Sequence, residues 1–74
     1  HQANERIILA IAKKINLPQN KIVITVNKHG NTSAASIPLA FDHANSNNMF
    51  RSGEYIMLEA FGAGFTWGSI LLRF

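Results

Sequence analysis

At 74 residues the chain suits one small domain with a thin core, because a chain of this size buries only about 60–65% of the surface its unfolded form exposes. A hydrophobic content of 47% without any low-complexity run argues for a folded segment over a disordered one. No apolar stretch is long enough to cross a bilayer as a helix and nothing resembles a signal peptide, and the lack of cysteine removes both disulfides and a thiol nucleophile. The formal net charge of +3 is unevenly spread: Arg6, Lys13, Lys14, Lys21 and Lys28 precede nearly all the acids, with Glu5 alone among them. An acidic or phosphate-bearing partner meets that half first. Nucleic acid is disfavoured, since the aromatic residues are not interleaved with the basic ones and no nucleic-acid motif is present. The first residue is His1, not Met, and the last run, Leu71-Leu72-Arg73-Phe74, is apolar. The chain is therefore expected to be a piece of a longer protein whose C-terminus can be the natural one.

Residues from Asn4 to about Ile15 are expected to form a helix. Asn4 can cap it, Glu5 suits the positive first turn, and Lys13 and Lys14 suit the negative last turn. Leu17-Pro18 should end it, because a residue before proline is pushed out of the α region. Ile7, Ile8, Ile11 and Ile15 recur at helical spacing and are expected to face a core, while Arg6, Ala10 and Lys13 share another face with Lys14 beside it. Lys21 to Asn27 is dense in β-branched residues and predicts a strand.

His29 to Ser36 is the stretch around which the chemistry gathers. Gly30 tolerates a positive φ and so allows a sharp turn. Thr32 and Ser33 are favoured helix N-caps, which places Asn31 at the exit of a strand and the mouth of a helix, where open α/β sheets hold ligands. From these residues alone Asn31 reads equally as a ligand-facing donor or as a turn residue bonding its own backbone. Thr32 to Ala44 has a helical pattern, although Pro38 must kink it or delay its start. Asn45-Ser46-Asn47-Asn48 is a loop and Ser52-Gly53 a turn. Strands are expected from Tyr55 to about Phe61 and from about Thr66 to Phe74, joined by Gly62-Ala63-Gly64 as an antiparallel hairpin.

Three polar segments remain: His1-Gln2-Ala3-Asn4, His29 to Ser36, and Phe61 to Gly68. Within them, His1-Gln2-Ala3-Asn4 with Arg6-Ile7, Gly30-Asn31-Thr32-Ser33-Ala34-Ala35-Ser36-Ile37-Pro38, and Phe65-Thr66-Trp67-Gly68 occur in an order and spacing that resembles the C-terminal segment of the β-ketoacyl-acyl carrier protein synthase III family. The similarity covers essentially all 74 residues. It implies an α/β chain, the C-terminal portion of a thiolase-like layered fold with a mixed sheet in the order helix-strand-helix-strand-strand. The chain would then be a single partial domain, 1–74, lacking the N-terminal half that carries the nucleophilic cysteine, and inactive by itself.

The resemblance further implies an acyltransferase of fatty acid biosynthesis. That enzyme joins an acyl group from acyl-CoA, such as acetyl-CoA, to malonyl-acyl carrier protein with loss of carbon dioxide. His1 and Asn31 match the donor pair that stabilises the enolate, with a second group expected to fix the other nitrogen of His1. Ala63 matches the loop position whose backbone N–H completes the acylation oxyanion hole. Many relatives have glycine there, and a positive φ would be costly for alanine. Asn4 matches a position near the pantetheine arm, and Arg6, Lys13 and Lys14 match positions that dock acyl carrier protein. Phe61 and Phe65 are expected to pack the active-site floor and Trp67 to be core, while His29 and His43 carry no role. The resemblance implies no cofactor beyond these substrates and a cytoplasmic, homodimeric parent without nucleic-acid or membrane partners. A metal site is not expected, since neither cysteine nor ligand spacing of histidines or acids is present. Two other readings stay open: a relative priming polyketide, quinolone or branched-chain synthesis, and a catalytically silent fragment whose bare sheet edges and apolar face favour association.

Overall fold

A computed structural model describes residues 1–74. Helix α1 spans Glu5–Lys14 and is capped by Asn4, whose Oδ1 accepts the Ile7 N–H at 2.9 Å. Its end is set earlier than Pro18. Ile15 is the C-cap and Asn16 turns left-handed at φ 56°, so that Leu17 N–H reaches Ala12 O at 2.8 Å and Asn16 N–H reaches Lys13 O at 3.2 Å. That pair of bonds is the Schellman ending, with asparagine in the place glycine usually takes.

The run Lys21 to Asn27 does not form the expected strand. Gln19–Lys21 is a 3-10 turn, Ile22 is extended at φ −115° and ψ 129°, and Val26–His29 winds into a one-turn helix, α2. The sheet has two strands only, so no neighbour offers a ladder to these β-branched residues. The Gln2 side chain bonds the main chain of Val23, Thr25 and Val26 instead. In this chain the sheet is therefore antiparallel, not mixed, and a helical turn replaces the first strand.

Pro38 delays the next helix, as the sequence predicts. A 3-10 turn covers Ser33–Ala35, and α3 runs Ser36–Ser46, which puts Pro38 in the first turn, where no intrahelical partner awaits its missing N–H. Neither Thr32 nor Ser33 caps α3; its N-cap is Ala35, without a side-chain bond. The end of α3 repeats the device of α1: Asn48 is left-handed at φ 53°, and Met49 N–H bonds Ala44 O at 2.9 Å.

Strands β1 (Tyr55–Gly62) and β2 (Thr66–Arg73) form the expected hairpin, in register from Tyr55 opposite Arg73 to Gly62 opposite Thr66. Gly64, in the connecting turn, has φ +149°, and a Cβ there would lie 3.0 Å from the Thr66 backbone nitrogen. The base of the hairpin is tied down by Gly53 N–H to Phe74 O at 2.8 Å and by Phe74 N–H to Glu54 O at 2.9 Å. Phe50 bridges Phe74 and Phe41 of α3, with ring centroids 5.3 and 5.0 Å apart. Glu54 pairs with Lys21 at 3.3 Å. Its carboxyl is held below the ordinary range, first by the Arg51 backbone N–H and then by Lys21.

Six of the 74 residues are buried, and half of those are polar: Gln2, Thr25 and Ser36 beside Ala12, Ala40 and Ala44. The interior is thus a seam of small side chains held by hydrogen bonds. Ile7, Ile11 and Ile15 do not reach it and are exposed, against expectation; Ala12 is the buried residue of α1. On β1 the inward residues Ile56, Leu58 and Ala60 are half-buried, and α3 faces Leu58 across a shallow depression. β2 is bare apart from Leu72. Trp67 is 78% exposed and Phe65 94%, so the first is not core and the second packs no floor within this chain. No helix is long and apolar enough to cross a membrane. Contiguous bare apolar surface of this kind drives association. The 74-residue chain expressed alone is expected to scatter light as species heavier than its 8.2 kDa monomer at micromolar concentration, and a sharp monomer peak would contradict this.

Candidate active site

The three polar segments are joined through residues 1 and 2. The main-chain nitrogen of His1 donates to the Glu59 carbonyl of β1, and the His1 ring meets Phe61 edge-on, with centroids 5.9 Å apart and planes at 79°. Phe61 opens into the Gly62–Gly64 turn, so this contact ties His1 to the loop that carries Ala63. No side-chain hydrogen bond engages a His1 ring nitrogen, and the ring is oriented by Phe61 instead. Phe61 therefore keeps a packing role at the site while remaining 44% exposed.

Gln2 reaches the other way. It is 7% exposed and both ends of its amide are directed at one backbone segment: Nε2 donates to Val23 O at 3.0 Å, and Oε1 accepts from Thr25 N–H at 2.8 Å and from Val26 N–H at 3.1 Å. Val26 is the first residue of α2. One turn later its carbonyl accepts the Gly30 N–H at 2.8 Å, and the chain enters the Asn31 loop. Gly30 sits at φ 69° and ψ −164°, a conformation that an L side chain rarely adopts, which explains glycine before Asn31.

Asn31 closes an Asx turn: its Oδ1 accepts the Ser33 N–H at 3.0 Å. This fixes which end of the amide faces the backbone, since only the oxygen can accept. Nδ2 is left as an exposed donor with no partner in the chain. Ser33 is itself left-handed at φ 54°, and the loop is closed behind it by Ser36. The Ser36 Oγ accepts the Thr32 N–H at 3.2 Å and lies 3.1 Å from the Thr32 hydroxyl. Thr32 and Ser36 therefore brace the loop, and neither Thr32 nor Ser33 caps the helix. The two readings of Asn31 are compatible, because one end of the amide makes the turn and the other stays free.

Asn4 is used in the same divided way, with Oδ1 spent on the α1 cap and Nδ2 open. Ala63 avoids the strain that alanine would suffer at positive φ, because the left-handed value in this turn falls at Gly64. Arg6, Lys13 and Lys14 are exposed along α1, and the chain's ion pair, Lys21–Glu54, engages none of them. At the end of α3 the Asn47 amide lies 3.4 Å from His43 Nδ1 and donates to the His43 carbonyl at 2.7 Å, and no three His, Asp or Glu side chains converge as a metal site would require. The residues whose bracing bonds sequence reasoning missed are Gln2 and Ser36. For Gln2 the available signal was its place between two motif residues that each had a role.

Comparison with known proteins follows the same lines. The family model of the 3-oxoacyl-[acyl-carrier-protein (ACP)] synthase III C terminal matches residues 1–74. The chain is 61% identical over 74 residues to the β-ketoacyl-[acyl-carrier-protein] synthase III of Blochmanniella pennsylvanica, covering 100% of this chain and 23% of that protein. Against its counterpart in Rhizobium meliloti it is 62% identical over 73 residues, covering 99% and 23%. The crystal structure of 3-oxoacyl-[acyl-carrier-protein] synthase III from Aquifex aeolicus superposes with a TM-score of 0.96 at 49% identity, over 100% of this chain and 24% of that one. The corresponding Pseudomonas aeruginosa structure gives 0.94 at 48%, over 99% and 23%. The chain thus spans under a quarter of the length of the curated relatives it matches. Within the Asn31 loop, Ser36→Ala leaves the Thr32 N–H without its acceptor and is expected to cost about 1–3 kcal/mol. The readout is a lower urea midpoint of the full-length protein; an unchanged midpoint would show that the brace is dispensable.

Proposed function

Because the chain belongs to the family of 3-oxoacyl-[acyl-carrier-protein] synthase III C-terminal segments, we propose that it supplies the enolate-stabilising segment of a decarboxylative condensing enzyme. The parent protein would join the acyl group of an acyl-CoA, with acetyl-CoA the simplest case, to malonyl-acyl carrier protein and so initiate fatty acid synthesis. The observation that carries this reading is the divided use of Asn31: its oxygen is consumed by Ser33 and its NH₂ end is held out as a donor.

The chemistry calls for such donors. When a malonyl thioester loses carbon dioxide, the electrons of the breaking C–C bond move onto the thioester carbonyl and leave an enolate oxygen. Donors already in place for that charge need no reorganisation as it develops, and each is typically worth about 2.7–4 kcal/mol. In this reading a neutral His1 ring N–H and Asn31 Nδ2–H supply them. The enolate carbon then attacks the acyl carbon of a thioester on a cysteine contributed by the remainder of the parent, and the C–S bond breaks to release the cysteine thiolate. Ala63 offers its backbone N–H to the oxyanion formed when that cysteine is acylated, and Asn4 Nδ2 lies toward the pantetheine arm. Arg6, Lys13 and Lys14 form the face for the acidic carrier protein. A CoA thioester and acyl carrier protein are the partners, the parent is a homodimer, and no cofactor beyond the substrates is needed.

The test is decarboxylation of malonyl-acyl carrier protein by the full-length protein. His1→Ala and Asn31→Ala are each expected to lower kcat about 10²–10³-fold. Asn31→Asp retains an oxygen for the Ser33 N–H but removes the donor and adds negative charge. It should lose at least as much activity while melting close to the wild type. Wild-type rates in these variants would mean that His1 and Asn31 are scaffold only. The basic face is tested separately, because exposed charges act through a field screened within about 10 Å at 0.1 M salt and 3 Å at 1 M. Arg6→Ala or Lys13→Ala should raise KM for the carrier-protein substrate steeply at low salt and much less at high salt. A level KM with a fallen kcat would exclude docking.

A further inference from the structure

We propose that Gln2 is a positioning residue that sets the separation of the two enolate donors, an inference that rests on the functional reading above. It follows from how the amide is connected. His1 is the residue before Gln2, so any displacement of the Gln2 backbone moves His1. Asn31 lies one helical turn beyond the segment that the Gln2 side chain holds.

The connection is short at every step. Gln2 Oε1 accepts from Val26 N–H at 3.1 Å, and Val26 O accepts from Gly30 N–H at 2.8 Å; Asn31 is the next residue. A helix of one turn leaves its first N–H groups without intrahelical acceptors. Thr25, the N-cap, contributes no side-chain bond, and Gln2 serves from across the fold in its stead. The Thr25 carbonyl meanwhile accepts from both Lys28 and His29 N–H at 2.9 Å, which closes the turn.

Burial adds force to this arrangement. With 7% exposure the Gln2 amide is shut away from water, so each of its bonds must be made within the protein. One amide group thus joins the His1 segment to the root of the Asn31 loop, with Phe61 and the Glu59 carbonyl holding His1 from the other side. Gln2 meets no reacting atom in this scheme and acts through the two donors.

The experiment uses the full-length protein and two half-reactions. Malonyl-acyl carrier protein decarboxylation draws on the donor pair, whereas acyl transfer from acyl-CoA to the enzyme draws on the cysteine and its own oxyanion site. Gln2→Met keeps the length and volume of the side chain and removes its hydrogen bonds. A donor displaced by about 1 Å can cost on the order of 10²-fold, so a 10–100-fold loss in decarboxylation kcat is expected, with KM and acyl transfer held within roughly twofold. Combined with Asn31→Ala, Gln2→Met should cost less than it does alone, because one of the two donors whose separation it sets is already gone. Gln2→Asn retains the amide on a shorter stem and serves if Gln2→Met does not fold; the same pattern is expected of it.

Unchanged decarboxylation, parallel losses in both half-reactions, or a full multiplicative loss on top of Asn31→Ala would each overturn the proposal. The single variants separate its failure from that of the functional reading. If His1→Ala and Asn31→Ala collapse decarboxylation and the Gln2 variants leave it intact, the positioning role alone falls. If neither single variant matters, both fall.

Discussion

A buried amide that must satisfy both of its ends is the constraint on which this chain depends. Leaving a polar group unpaired in the interior costs about 1–3 kcal/mol, and Gln2 carries both a donor and an acceptor there. The only backbone that meets both demands is Val23 to Val26, so the N-terminal segment and the middle of the chain are locked in one relative position. Much follows from that lock. α2 acquires an N-terminal partner, the Gly30–Asn31 turn begins from a fixed point, and α1 starts three residues beyond a residue that cannot move.

Hydrogen bonding has this weight because apolar packing has so little. The buried apolar residues are alanines, which contribute less transfer free energy than leucine or isoleucine would. Larger apolar groups are present, but Ile7, Ile11, Trp67, Ile70 and Leu71 face outward. A chain that spans 23% of its relatives presents as exterior the surfaces that the rest of a longer protein would cover. The aromatic contacts from Phe41 through Phe50 to Phe74 are the exception, a small apolar staple between α3 and the foot of the hairpin.

Several signals were legible because the physics behind them is local. The Asn4 cap, the delay imposed by Pro38 and the hairpin around Gly62-Ala63-Gly64 all follow from residues within a few positions of the effect, and all are present. The Lys21–Asn27 strand was misread for the opposite reason. β-propensity records how well side chains pack on a neighbouring strand, and here the partner is a glutamine side chain. The inward face assigned to Ile7, Ile11 and Ile15 failed in the same way, since periodicity identifies an apolar stripe but not what covers it. At the site, residue types and order pointed to the family, and the family model, the relatives and the superposed structures agree. The division of labour within Asn31 and the brace from Ser36 were not legible, because they depend on which end of an amide meets which N–H.

The turn between the strands separates shape from chemistry. Gly64 carries the unusual φ and has no room for a side chain, whereas Ala63 beside it has an ordinary φ and a methyl group. A change at 64 must therefore redraw the turn, while a change at 63 alters only how much of the neighbouring space is filled. A turn built this way can vary its steric contour at one residue without disturbing the direction in which that residue's N–H points. Position 63 is thus open to drift between glycine and small side chains, and position 64 is closed to it.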